Sequence, residues 1–545
     1  MNYYAIYLQS GDVTEKVKTI SLNCHSGVNQ IPKLTLRLQD GDTNKGTFDL
    51  TDEGLFTLGE TIEITAGFDD KSLIFSGIIS EQTLGIDGHT FLDIIAYGDV
   101  IKLTEGPLTQ LFADKKPTKD SAIIQALFEG RDVEMTKVDI AKVETDIEHP
   151  HYFVYQQTPW RAMMARVLAN GWLFVPAQES NKIVDTTKYT EGKPHAISVK
   201  GSGLESFKLH QDIRSQFDSV KASSWNTKTQ KMGEKEKKSS AITIGELKSS
   251  AENLALNLLL YQHGVPLPDT ELEAQASAQV VYRKLDRFRG RLGFYAGKDT
   301  VSKDIKLLDK LDLSEFGKHY SGQYLVTAIE HVISPQGWRI YITVGLHLNH
   351  SLFSDWLTPP PVPNLIGKVA AKDKQKDATY EQHISVLLPS IDEKAPVWAR
   401  LVSPFASKKS GIFFPPNPDD EVIVGFVGGD CRFPVILGAT HNPINEAPFL
   451  FNDENVKPGI YFGDKKMSLG FDLKEPTLSI AGGEKAAIVV KDETGPELKC
   501  DESSFTLGND IAIKSKGKMM LNAGGEMNIK TSDKVNIKAN LVEIQ

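Results

Sequence analysis

The sequence predicts a mainly β protein with some helix, and three observations carry that expectation. Short runs alternating apolar and polar residues, punctuated by Gly and Asp, fill the first hundred or so residues. A proline cluster, Thr358-Pro-Pro-Pro-Val-Pro363, divides the chain, and beyond it apolar residues recur at a spacing of eight. Helical spacing is clearest between about 118 and 170 and from 270 to 287. At roughly 150 residues per domain, 545 residues predict three or four domains with ample core. Hydrophobic content of 40% and charged content of 24% argue against a disordered or fibrous chain. The 61 Lys and Arg against 71 Asp and Glu give a net charge of -10, which disfavours a nucleic-acid binder. Cys24, Cys431 and Cys500 are too few and too scattered for a disulfide framework or a zinc site, and read as reduced thiols of a chain folded in the cytoplasm.

Taken in order, Leu34-Thr35-Leu36-Arg37-Leu38 and Thr61-Ile62-Glu63-Ile64-Thr65 alternate as half-buried strands do. Gly67, Asp69-Asp70, Gly77, Gly85 and Asp87-Gly88 supply turns at the spacing of an antiparallel barrel or sandwich. Asp120 is placed to cap a helix carrying Ile123, Ile124, Leu127 and Phe128 on one side. A clearer helix starts at Thr158-Pro159, a cap residue followed by proline, and ends at Gly171. Its Trp160, Met163, Met164, Val167 and Leu168 stripe reads as core rather than as a cofactor box. Met232 to Ser240 reads as a charged, solvated loop, and Leu254 to Leu260 as the most apolar helical stretch, too short to span a bilayer. Thr270-Glu271-Leu272-Glu273 has the form of a capping box for a helix running towards Arg287. Strand patterning resumes at Leu292 and continues to Leu346. The proline cluster reads as a stiff linker, followed by a compact strand-rich module to about Asn445. The N-terminus lacks the basic and apolar regions of a Sec-type signal, so no signal peptide is expected.

The C-terminal segment carries the most specific pattern. Phe505, Ile513, Leu521, Ile529 and Ile537 are spaced by eight, and so are Ile511, Met519, Met527 and Val535, two residues earlier. Ser515, Ala523, Thr531 and Ala539 form a third register of small side chains, while Gly517, Gly525 and Asp533 suit turns. A pair two residues apart marks one face of a strand, so each octad reads as a short strand plus a turn. Such a strand cannot bury its face alone. Stacked octads give a solenoid or an intertwined β-prism in which three chains bring their apolar pairs to one axis. An ordinary β-meander is the alternative.

Few residues point to chemistry. Glu148-His149-Pro150-His151 has the look of a metal cluster but lacks a third ligand at a suitable spacing, and reads as a strand entering the Trp160 helix. Glu330-His331 is a single pair on a strand. Asp419-Asp420-Glu421 follows prolines and precedes a strand, where adjacent acids usually solvate a turn. There is no Gly-x-Ser-x-Gly elbow, P-loop or His-Glu-x-x-His helix. No catalytic, metal-binding or cofactor-binding residue is assigned, and none of these ligands is expected.

Several segments nevertheless resemble one family, the VgrG proteins of type VI secretion and the related hub-spike proteins of phage tails and tail-like injection particles. HYFVYQQTPWRAMMARVLANGWLFV (151–175) resembles its glutamine, helix and glycine-aromatic stretch through Gln156, Leu168, Gly171 and Trp172, although Thr158-Pro159 replaces the usual acidic pair. SGQYLVTAIEHVI (321–333) is similar to the strand pair that closes the family's hub. The most specific match is 397–443, similar to the OB-fold module, with Trp398, Arg400, Gly411, Phe414, Pro416, Asp420, Glu421, Val422, Phe426, Gly429, Asp430, Pro434, Gly438 and Asn442 in the pattern.

The resemblance implies tandem hub β-barrels, an OB-fold collar and a triple-stranded β-helix needle formed by a homotrimer. The implied divisions are a first hub barrel (1–110), a helical and mixed insert (111–200), a second barrel with helix (201–357), the linker (358–365), the collar (366–445) and the needle (446–545). Ile511, Ile513, Met519, Leu521, Met527, Ile529, Val535 and Ile537 would form the needle core; Trp398, Phe414, Asp420, Glu421, Gly429, Asp430 and Pro434 mark the collar. Implied partners are a hexameric inner tube protein, baseplate proteins, a PAAR-type tip protein and the target cell envelope, with no nucleic acid. The chain would be made in the cytoplasm, join an injection particle of type VI, phage or extracellular kind, and be released or injected on contraction. Only about 55 residues separate Asn445 from the octads, less than half a domain of roughly 100–150 residues, so a non-enzymatic puncturing spike is expected. The alternative is a phage-type tail spike that cleaves or binds envelope glycans.

Overall fold

The computed structural model describes residues 3–112, 118–129, 135–140, 146–186, 194–201, 203–214, 216–239, 257–347, 359–375, 382–450, 457–463, 466–483, 486–491, 495–500, 503–506, 512–522 and 524–544. The fold is mostly β, with four α-helices among the described residues: α1 (Asp49–Asp52), α2 (Asp120–Glu129), α3 (Pro159–Ala169) and α4 (Asp269–Arg287). It divides into two units, Met1–Thr440 and His441–Gln545.

In the first unit, strands from both segments expected to be hub barrels share one thirteen-stranded sheet. Alternation dictates its burial: in Lys33–Gln39, Leu34, Leu36 and Leu38 turn inward while Thr35 and Gln39 face solvent. The two segments meet where Gly322–Ser334 pairs antiparallel with Lys18–Gly27, from Ala328 opposite Gly27 to Ile333 opposite Leu22. One core therefore holds Leu22, Leu36 and Ile64 together with Phe294, Ile340 and Ile342.

The insert packs α2 and α3 against short strands, including Tyr152–Gln157 and Trp172–Val175. Ile123, Ile124, Leu127 and Phe128 of α2 are buried as their spacing requires. In α3 the Thr158 Oγ1 accepts a hydrogen bond from the Arg161 amide at 3.3 Å, and Pro159 opens the helix. Gly171 ends it at φ 76°, where a Cβ would lie 3.0 Å from the Ala278 Cα of α4.

Three local expectations are corrected. The stretch expected as a loop, Met232 to Ser240, is mostly strand: Lys231–Lys238 pairs with Ser219–Asn226, its charges lining the edge of a three-stranded sheet, while Ser240 lies outside the described residues. Leu258–Gln262, which overlaps the end of the Leu254 to Leu260 stretch read as helical, is the opposite edge strand of that sheet, while 251–256 lie outside the described residues. The capping box does not form. Pro268 takes the cap position without a side-chain bond, and Glu271 and Glu273 turn instead to basic partners, Arg432 and Lys237.

Leu365–Val369, Ile384–Leu388, Asp392–Leu401, Pro434–Ala439 and Glu421–Phe426 close a five-stranded barrel in that order, around Val386, Val397, Ala399, Val422, Val424 and Ile436. The described part of the proline segment lies against it, with the Val362 amide donating to the Gly429 carbonyl at 2.8 Å.

In the second unit, seven strands from Gly459–Phe462 to Ala512–Lys514 form one sheet, each pairing antiparallel with the next. Phe505, eight residues before Ile513, lies directly opposite it. Among the described residues from 515 to 544 there is no strand, and all are exposed. Ile511 lies outside the described residues. Among the described residues no helix is long and apolar enough to cross a membrane.

Candidate functional site

The feature of the first unit that most needs a physical explanation is a set of buried charges where insert, α4 and barrel meet. Asp120, the first residue of α2, is fully buried and shares a 2.7 Å hydrogen bond between its Oδ1 and the His149 Nε2. Its Oδ2 accepts from the Asn170 Nδ2 at 2.7 Å, so the residue after α3 ties that helix to α2. Arg166 of α3, also fully buried, holds its Nη1 3.7 Å from the Asp120 Oδ2 and 3.9 Å from the Glu271 Oε1 of α4. Its guanidinium lies over the Tyr152 ring, 5.4 Å from the centroid.

The barrel joins through Arg432. Its Nη1 donates to the Glu271 Oε2 at 2.6 Å, while Nη2 and Nε donate to the two carboxylate oxygens of Asp430 at 2.7 and 2.9 Å. The same Nη1 lies 3.4 Å from the His149 Nδ1. One planar guanidinium thus grips a carboxylate of its own turn in a bidentate fork and reaches a second on α4. The turn requires Gly428 and Gly429, at φ 62° and 74°; a Cβ on them would press on Val265 and Pro361 respectively.

Burial alone would push Asp120 and Asp430 up. His149 and Arg166 around the first, and Arg432 around the second, outweigh that and hold both below the ordinary carboxylate range. Burial drives His151 down to about 4, although the nearby Asp430 carboxylate favours its charged form. Ionised carboxylates held against guanidinium groups out of solvent suit a joint better than acid–base turnover.

The other sequence candidates fall elsewhere. Glu148 pairs with Lys119 at 3.5 Å, so the Glu148-His149-Pro150-His151 run is divided between surface and interior. Among the described residues no group of His, Cys, Asp and Glu is arranged to hold a metal ion. Glu330 binds Arg291 and the Asn23 Nδ2, and half-buried His331 lies against Trp338. Asp419 sits at φ 74° with Lys368 2.8 Å away, and the Asp420 Oδ2 accepts from the Asn417 amide at 2.7 Å, both as turn residues do. Glu421 accepts from the Thr440 hydroxyl, Trp398 lies opposite Ser385, and Phe414 is exposed. Of the collar residues, Asp430 enters the charge network; Gly429 shapes its turn, and Pro434 begins the strand that follows. Sequence reasoning missed Arg166, Glu271 and Arg432. Arg166 alone left a signal, a charge inside an apolar stripe.

The barrel geometry has a direct counterpart: residues 365–441 match the type VI secretion system/phage-baseplate injector OB domain. Residues 2–335, more than half of the chain, match the Alg8 N-terminal domain. The chain belongs to the Alg8 N-terminal domain family and to the VgrG and phage-tail hub-spike proteins. This hub-spike chain is 35% identical over 68 residues to the type VI secretion system spike protein VgrG3 of Vibrio cholerae serotype O1. That stretch covers 12% of the chain and 7% of the curated relative. Among solved structures, it is similar to an E. coli component of the type VI secretion system described as resembling the T4 bacteriophage tail proteins gp27 and gp5. The TM-score is 0.49 at 9% identity, over 78% of this chain and 97% of that one. A tail protein from Neisseria meningitidis matches at TM-score 0.46 and 12% identity, over 63% of this chain and 96% of that one.

Proposed function

We propose that this hub-spike chain is the non-enzymatic centre of a contractile injection machine, acting as a homotrimer that joins inner tube and baseplate to a puncturing tip. The observation that carries the reading is the uncovered octad stripe. Ile513, Met519, Leu521, Met527, Ile529, Val535 and Ile537 are each between 44% and 69% exposed in the single chain. A periodic apolar face of this length calls for partner strands, and two further copies of the same octads supply them in register. Residues 446–545 are assigned to the needle, 366–445 to the collar, and 1–110 with 201–357 to the hub around the insert. Phe405, Ile412, Phe413 and Phe414 of the collar are likewise exposed, which suits a module that meets further chains. The engagement of Asp419 and Asp420 within their own turn favours this reading over glycan cleavage. A hexameric tube protein, baseplate proteins, a PAAR-type tip protein and the target envelope are the partners it implies, within an assembled particle.

Light scattering of the full-length chain at micromolar concentration tests the assembly. The expected mass is three times that of the chain, and Ile529→Asp with Ile537→Asp shifts it towards monomer. Removing 501–545 leaves a soluble hub with weaker trimerisation. A monomeric full-length chain would overturn the proposal.

A further inference from the structure

We propose that Arg432 is a latch that makes the collar barrel and the hub a single cooperative body, in place of two domains on a proline hinge. Three observations converge. The barrel belongs to the same compact unit as the hub, Met1–Thr440, although the proline cluster lies between them in sequence. The turn carrying Asp430 and Arg432 reaches out of the barrel, and the bond from the Arg432 Nη1 to the Glu271 Oε2, at 2.6 Å with both side chains buried, crosses from collar to α4. Behind it, Glu271 lies 3.9 Å from Arg166, which lies 3.7 Å from Asp120, which holds His149. A charge displaced at the collar is therefore felt at α2, α3 and α4 together.

Apolar contacts flank the bridge. Phe426 of the barrel meets Phe153 of the insert edge-on at 5.6 Å, and Val427 and Phe433 pack on the cluster of Val220, Val265 and Leu272. These contacts are non-directional and tolerate sliding, whereas the guanidinium fork fixes one geometry. Separating collar from hub would leave Glu271 with the neutral Gln275, 3.2 Å away, and the more distant Arg166, and return Arg432 to Asp430. Opening the joint therefore costs an uncompensated charge on the hub side, and the two bodies open together. In the spike reading, a thrust on the hub would pass to the collar without a hinge; the latch itself is a property of the folded chain and does not require that reading.

Native-state hydrogen exchange on the full-length chain tests it. In the parent, the barrel strands Glu421–Phe426 and Pro434–Ala439 are expected to open with the same free energy as hub strand Gly322–Ser334. Glu271→Met and Arg432→Met cut the bridge from opposite sides. Glu271→Met leaves Arg432 paired with Asp430, so the barrel keeps its own charges balanced. Each variant should raise exchange in the barrel strands about a hundredfold relative to the hub strand, so that the collar opens alone. A merely structural role would speed both sets equally. Uniform change in both variants, or a parent collar that already opens separately from the hub, would overturn the latch. The parent measurement decides the matter even if a variant does not fold, and light scattering tests the trimer independently.

Discussion

His151 is buried and His331 half-buried, and withdrawal from solvent lowers both to about 4 from an ordinary value of 6.5. A histidine depressed in this way binds protons less readily folded than unfolded, so acid favours the unfolded chain. The stability tied to its neutral form is complete above about pH 6.5, falls as pH drops towards 4, and changes little below that. A gap of this size amounts to about 3 kcal/mol for each residue. Unfolding by urea at pH 7.5 and 4.5 should show this loss, and His331→Leu should remove close to half of it; an unchanged pH dependence in that variant would refute the assignment. Asp120→Ala tests the network from the other side. It strips Arg166 of its nearer carboxylate and is expected to cost about 3–5 kcal/mol in the same assay. The network as a whole was not legible in the sequence: Arg166 left a signal inside its apolar stripe, but Arg166, Glu271 and Arg432 are separated by a hundred residues or more and no motif joins them. Asp430 was singled out from the collar pattern, but its task, holding one side of a guanidinium, depends on α4 arriving beside it.

Individual elements were far more legible, because their signals are local. Thr158-Pro159 and Gly171 bound α3 as written, since cap, proline and left-handed glycine act within a few residues. Thr158→Ala should lower stability by about 1 kcal/mol. Gly171→Ala should cost more, because the new methyl meets both an unfavourable φ of 76° and the backbone of Ala278 at 3.0 Å. Thermal unfolding followed by circular dichroism ranks the two, and equal losses would count against the close approach to α4. The failures were elements whose partners lie far off in sequence. Lys231–Lys238 alternates Lys and Glu, a pattern that suits a solvated loop and an edge strand equally, and only its pairing with Ser219–Asn226 decides. The α4 helix starts at Asp269, ahead of Thr270, and Glu273, the acidic member of the expected box, pairs with Lys237 across the neighbouring sheet.

At the scale of the whole molecule, the division at Thr440 predicts that 1–440 folds without the octads. Its unfolding midpoint should match that of the corresponding transition in the full-length chain, measured by calorimetry; a large fall would mean that the second unit supports the first. The mainly β class and the OB-fold barrel were readable because strand alternation, turn residues and the OB pattern repeat within short windows. The merging of the hub strands into one sheet was not. Asn23 donates to Glu330 across 307 residues of sequence, at the seam where Lys18–Gly27 pairs with Gly322–Ser334. That seam has a consequence for biosynthesis. A ribosome adding about 5–20 residues per second needs roughly 15–60 s to deliver Glu330 after Asn23, and for that interval the early strand has an unpaired edge. The chain must emerge with one flank of its first sheet waiting, so its folding is slow, contact-order limited and exposed to chaperones until the distant strand arrives.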